Sequence, residues 1–124
     1  MADASPQEIV EAFCASVEAL DLDVVVGFLA EDCVYHNIPM DPVVGHDAIR
    51  VFLESFTTGL SSLQFEMLHV AASGHTVLTE RVDHFVSPER TISLPVMGTF
   101  EVKDGKIAAW RDYFDLNQFM SQMT

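Results

Sequence analysis

The chain has 124 residues, 49% of them hydrophobic, and its six Lys+Arg against 19 Asp+Glu give a formal charge of −13. This length supplies one compact domain over residues 1–124, and the acidity repels phosphate backbones and anionic lipid surfaces, which argues against nucleic-acid and membrane partners. No apolar run reaches the roughly 18–20 residues of a membrane span, and Met1 to Pro6 has neither a basic nor an apolar signal region, so a cytoplasmic location is expected.

Ser5 before Pro6 is a helix start, and Ile9, Val10, Phe13, Val17 and Leu20 recur at three- and four-residue spacing, which predicts an amphipathic helix over 6–20. A second short helix is expected over Leu22–Ala30, ending at Glu31-Asp32. Cys33–Pro39 reads as a strand with Tyr35 and Asn37 on one face and Val34, His36 and Ile38 on the other. After a loop through Pro39, Pro42 and Gly45, the helical pattern resumes over His46–Thr58 with Ile49, Phe52, Leu53 and Phe56. Cys14 and Cys33 lack a CxxC spacing and read as reduced core thiols.

The remainder predicts strands at 63–72, 76–86, 91–102 and 107–116, joined by turns at Ser73-Gly74, Ser87–Arg90 and Lys103–Lys106, with a helical turn over 117–123. Helices first and an antiparallel meander afterwards is the α+β pattern, in which helices cover one face of a curved sheet and leave a cavity between the layers. Pro95 and Gly98 are expected to mark bulges that bend the third of these strands. Apolar residues on both strand faces predict a homodimer packed sheet to sheet.

Three charges fall on strand faces expected to point inward. Arg81 and Asp83 are two apart and share a face, and Asp112 alternates with Trp110 and Phe114. A lone carboxylate in an apolar core is costly, so pairing with Arg81, taken to lie on a neighbouring strand, is the favoured arrangement, because a flat guanidinium bridges two carboxylates at once. Two acids around one buried cation titrate as a coupled unit, one of them tending to keep its proton. Tyr35 and Asn37 add a phenol and an amide, which together with Asp112 are able to hold one water as a poised nucleophile. The bland alternative for the Arg81–Asp83 pair is a structural ion pair. The five histidines, His36, His46, His69, His75 and His84, show no ligand spacing, and no metal is assigned. Arg111 and Asp115 are expected to face away from the pocket as an exposed or interfacial ion pair.

Tyr35-His36-Asn37, Glu80-Arg81-Val82-Asp83 and the block from Gly105 through Trp110-Arg111-Asp112 to Asp115 resemble, in order and spacing, the limonene-1,2-epoxide hydrolases. The resemblance implies the NTF2-like (cystatin-like), SnoaL-like cone, a dimer, and no cofactor or metal. It further implies hydrolysis of a small apolar epoxide by water, with Asp112 as the base aided by Tyr35 and Asn37. Asp83 takes the part of the acid and Arg81 orients both. By alternation and likeness Phe85, Leu94, Val96 and Phe114 are expected as pocket walls, with Met40 and Met97 as further lining. His36 stands where these relatives carry glutamine but points off the active face, and the 87–90 hairpin is shorter than theirs, which bears on the substrate. Rival readings on the same scaffold are a ketosteroid isomerase or polyketide cyclase, with an aspartate acting on a carbon acid, and a non-catalytic small-molecule binding module.

Overall fold

The computed structural model describes residues 4–123. Helix α1, Pro6–Val17, opens with a capping box: the Glu8 amide donates to Ser5 Oγ at 3.1 Å and the Ser5 amide donates to Glu8 Oε1 at 2.9 Å. It is shorter than its apolar pattern, because the chain leaves the helix after Val17 and Leu20 takes a positive φ of 57°. Helix α2, Leu22–Gly27, is capped by Asp21 and ends before Leu29, where β1, Leu29–Asn37, begins. Leu29 and Ala30 are therefore strand rather than helix, and Glu31-Asp32 lie within β1 instead of ending a helix. Gly27 weakens the helical run, and pairing of Leu29 with the last strand decides the outcome.

The short β2, Val43–Val44, pairs with β1, and α3 spans His46–Thr57. Strands β3 (Ser62–Ser73), β4 (Thr76–Val86), β5 (Thr91–Lys103) and β6 (Lys106–Tyr113) follow as an antiparallel meander. Asp104 and Gly105, with φ of 51° and 77°, make the tight β5–β6 turn. Strand β6 stops at Tyr113, three residues before the expected end, because Asp115 accepts from the Gln118 amide at 3.2 Å and starts α4, Leu116–Ser121.

The six strands form one curved mixed sheet in the order β2-β1-β6-β5-β4-β3. Strand β6 inserts parallel to β1, with Tyr35 opposite Trp110 and Asn37 opposite Asp112. The two expected bulges at Pro95 and Gly98 are absent, since β4 and β5 pair in unbroken register from Val86–Thr91 to Thr76–Glu101. Pro95 lies beyond the end of β6, whose pairing with β5 starts at Met97. One flank of β5 there has no strand to donate to, which is where a residue without an N–H is tolerated. The register shifts fall elsewhere, at Met67–His69, Leu29–Val34 and Glu101–Val102.

Val10, Phe13 and Val17 of α1, Val25 of α2, and Ile49 and Leu53 of α3 pack with Val77, Phe100, Ile107 and Trp110 of the sheet into one core. Phe13 is its hub, with edge contacts to Phe28, Phe100 and Trp110. Cys14 and Cys33 are buried and free, and burial pushes both thiols up to about 12, so they stay protonated and inert. None of the described helices is long and apolar enough to cross a membrane.

Candidate active site

Strand alternation sends Thr79, Arg81, Asp83 and Phe85 of β4 to the helix-covered face, together with Leu94, Val96 and Gly98 of β5 and Trp110 and Asp112 of β6. Arg81, Asp83 and Asp112 are 1%, 3% and 4% exposed, so all three charges are inside the protein. The guanidinium meets Asp83 side on, with Nε donating to Oδ1 at 3.0 Å and Nη2 to Oδ2 at 2.9 Å. Nη2 also donates to Asp112 Oδ2 at 3.1 Å, and Nη1 donates to Thr79 Oγ1 at 3.1 Å. The face of the guanidinium rests on the Phe65 ring, 4.5 Å from its centroid. One cation is thus shared by two carboxylates, as expected from the residue types.

The strands that carry this cluster were only partly foreseen. Arg81 and Asp112 are not on neighbouring strands, because β5 runs between β4 and β6. Asn37, Asp112, Gly98 and Thr79 form one row across β1, β6, β5 and β4. The guanidinium crosses β5 at Gly98, the one position of the row without a side chain. A Cβ at Gly98 would lie 2.4 Å from Arg81 Nη1, 2.7 Å from Thr79 Oγ1 and 3.0 Å from Asp112 Oδ1. Thr79, Gly98 and Phe65 are absent from the sequence-based site. For Thr79 and Gly98 the available signal was their inward phase, two residues before Arg81 and two after Val96.

A cavity of about 690 Å³ opens between sheet and helices. Asp83, Asp112, Tyr35 and Asn37 line it, as do all four expected walls, Phe85, Leu94, Val96 and Phe114. Met40 lines it too, whereas Met97 is exposed on the other sheet face, out of phase with Val96 and Gly98. Arg81 and Thr79 are not among the lining residues: the arginine lies behind its two acids, and only the carboxylates face the cavity. Phe56 and Phe119, on α3 and α4, stack with ring centroids 6.1 Å apart and close the wall near Phe85.

The two acids differ in their bonding. Both oxygens of Asp83 accept from Arg81, while Asp112 accepts through Oδ2 alone. Asp112 Oδ1 is buried without a hydrogen-bond partner among the described residues, as is Trp110 Nε1. Burial pushes the Asp83 carboxyl up to about 6, against the pull of Arg81 and with help from the Asp112 charge. Arg81 has the opposite balance, since burial disfavours its charge but Asp112 and Asp83 outweigh it and hold the guanidinium above its ordinary value. Tyr35 stacks on Trp110 at 3.8 Å, its hydroxyl donates to Asn37 Oδ1 at 3.4 Å, and burial keeps the phenol protonated.

The remaining polar residues belong to the outer face or the rim. His36 bonds the Met40 carbonyl at 2.9 Å, and His84 bridges Ser93 and Glu66 at 2.8 Å on the face away from the cavity. Arg111 pairs with Glu101 at 2.6 Å rather than with Asp115, which caps α4 instead.

With this geometry in place, comparison with known proteins gives a consistent result. A family model described as the limonene-1,2-epoxide hydrolase catalytic domain matches residues 4–124. Epoxide hydrolase EphG of Mycobacterium tuberculosis is 35% identical over 107 residues, covering 86% of this chain and 71% of that protein. The structure of an LEH-like epoxide hydrolase from M. tuberculosis superposes with a TM-score of 0.83 at 31% identity, over 94% of this chain and 87% of that one. A polyketide cyclase-like structure from Xanthomonas campestris superposes with a TM-score of 0.87 over 96% of both chains, at 24% identity, a likeness of fold alone. The architecture is the expected NTF2-like, SnoaL-like α+β cone.

Proposed function

The chain belongs to the limonene-1,2-epoxide hydrolase family, and from that premise we propose that this epoxide hydrolase opens a small apolar epoxide to a vicinal diol in one step. The observation that carries the proposal is the shared guanidinium: it sits behind two carboxylates that both face an apolar cavity and differ in their bonding. In the proposed step a water held by Tyr35, Asn37 and Asp112 attacks one epoxide carbon. Asp112 takes the water proton as the carbon–oxygen bond of the ring breaks, and Asp83 delivers its proton to the departing oxygen. The diol leaves with Asp112 protonated and Asp83 ionised, and one proton passed between them through solvent restores the starting state.

Three features support these roles. The bare Oδ1 of Asp112 leaves an acceptor for the water proton. Asp83, held up to about 6, keeps a proton through the mildly acidic range, and each carboxylate oxygen has a second lone-pair site to carry it beside the bonds from Arg81. The walls offer hydrocarbon contacts from Phe85, Leu94, Val96 and Phe114, which suit an apolar terpene- or cycloalkene-type ring.

Single-turnover hydrolysis in oxygen-18 water tests the mechanism. The first diol formed should carry the label. An unlabelled first product would mean that a carboxylate oxygen is transferred through an ester, and the one-step reading would fail.

A homodimer packed through the outer sheet face is part of the same reading, supported by Val34, Leu78, Met97 and Tyr113, all exposed there. We place the enzyme in the cytoplasm, in keeping with its two free thiols.

A further inference from the structure

We propose that Thr79 and Gly98 are positioning residues of the hydrolase, fixing the rotation of the Arg81 guanidinium so that one nitrogen, Nη2, serves both catalytic carboxylates. The inference rests on the assignment of Asp83 and Asp112 as acid and base, and extends it to two residues that touch neither the cavity nor a substrate.

The geometry has two parts. Gly98 lies opposite Thr79 on one side and opposite Asp112 on the other, so it is the crossing point between the strand of the cation and the strand of the base. Any side chain there would occupy the path of the guanidinium, whose Nη1 would be 2.4 Å from a Cβ. The backbone at Gly98 has no positive φ, so the glycine answers to space rather than to chain conformation. Thr79 is fully buried, and its hydroxyl accepts from Arg81 Nη1 at 3.1 Å while donating to the Gly98 carbonyl at 3.4 Å.

A buried guanidinium with one end held by Asp83 still has its Nη1 hydrogens to satisfy. Thr79 gives Nη1 an acceptor on the side away from the cavity, and this leaves Nη2 between the two acids. Were that acceptor removed, Nη1 would compete for Asp83 or Asp112, and the unequal bonding of the two carboxylates would be lost. An arginine simply packed in a core needs no such orientation. The distinction is measurable.

The decisive comparison is Thr79→Val, which keeps shape and removes the hydroxyl, against Thr79→Ser, which keeps the hydroxyl and removes the methyl. Thr79→Val should lower kcat about tenfold or more with KM within about twofold of wild type. Because Arg81 pulls the Asp83 proton affinity down, a loosened guanidinium should move the alkaline limb of the kcat/KM profile upward, by roughly half a pH unit. Thr79→Ser should restore both to near wild type. Should Thr79→Val fail to fold by circular dichroism, Thr79→Cys is measured for the same two readouts. Gly98→Ala should lose at least as much kcat as Thr79→Val.

A folded Thr79→Val or Thr79→Cys with wild-type kcat and pH limb overturns the role of Thr79, as does a serine variant as impaired as the valine. An active Gly98→Ala overturns that of Gly98. The underlying assignment is tested separately by Asp112→Asn. If that variant is inactive and the Thr79 and Gly98 variants are normal, the acid and base stand and only the positioning inference falls. If Asp112→Asn is active, the assignment itself falls.

Discussion

Arg81 and Asp112 stand on strands that do not touch, yet the guanidinium reaches the carboxylate at 3.1 Å by crossing the intervening strand over Gly98. This contact joins the two halves of the site. On one side Arg81 grips Asp83 with two parallel bonds, and on the other Asp112 lies beside Asn37 on the parallel strand β1. The cavity therefore meets two carboxylates in unlike surroundings rather than an isolated acid.

Replacing Asp112 by Asn keeps the shape and removes the base. Turnover of an accepted epoxide should fall by about 10²–10⁴-fold, the range of a general base, while the far-ultraviolet circular dichroism spectrum stays that of the parent. Diol formation over a panel of terpene, cyclic and aryl epoxides measures the first part. Near-parental turnover would remove Asp112 from its role.

The Asp83 carboxyl, held up to about 6 by burial, sets a pH limit. As the proton donor it works protonated, so kcat/KM should decline by about tenfold per pH unit above that value. The same shift has a stability consequence with a definite sign. The folded chain holds a proton that the unfolded chain releases near its ordinary value of 3.8, so this contribution is whole below pH 3.8 and is lost as pH rises through about 6. Asp83→Asn should abolish the activity and also flatten that part of a urea-stability profile between pH 4 and 7.

Arg81→Met leaves two buried carboxylates without their cation. Breaking a buried pair in this way should destabilise the protein by roughly 3–5 kcal/mol near neutral pH. The loss should shrink toward pH 5, where Asp83, its carboxyl held up to about 6 by burial, is protonated instead of charged. Urea titrations at the two pH values test this; an equal loss at both would mean that the guanidinium contributes mainly by packing.

Tyr35→Phe retains the stack on Trp110 at 3.8 Å and deletes a hydroxyl whose bond to Asn37 is long, at 3.4 Å. Stability should change by less than about 1 kcal/mol, whereas kcat should fall about tenfold if the phenol orients the attacking water. Thermal melts and single-turnover rates separate the two. A variant as active as the parent would leave the water to Asn37 and Asp112.

Leu78→Glu and Met97→Glu place charge on the exposed apolar face of the sheet. Sedimentation equilibrium should give twice the chain mass for the parent and the single-chain mass for the variants. A monomeric parent at micromolar concentration would rule out the sheet-to-sheet dimer.

Much of the site was legible because a strand repeats every two residues. Tyr35 with Asn37, Arg81 with Asp83, and Trp110 with Asp112 were placed on shared faces by that period, and the four apolar walls followed from the same count together with the family resemblance. The errors arose where local preference competes with pairing. Leu29 and Ala30 fit the end of a helix by pattern but belong to β1, where the last strand offers Leu29 a partner in Ile107, and Pro95 and Gly98 read as bulges because proline and glycine usually interrupt strands. Gly98 is there for a different reason, the passage of a side chain from the strand beside it, and nothing in its local sequence records that.

By itself the sequence determined which residues face inward, where the β5–β6 turn falls, and that a cation and two acids had to be reconciled in one core, since each follows from short-range periodicity and the energetics of buried charge. Only the tertiary structure decided which strands are neighbours. The last strand inserts between β1 and β5, and this long-range pairing brings Asp112 beside Asn37, carries Arg81 across Gly98, and sets the arginine behind the carboxylates instead of in the cavity. Alternation assigns a side chain to a face, whereas its neighbours on that face depend on the order and register of strands far apart in the chain.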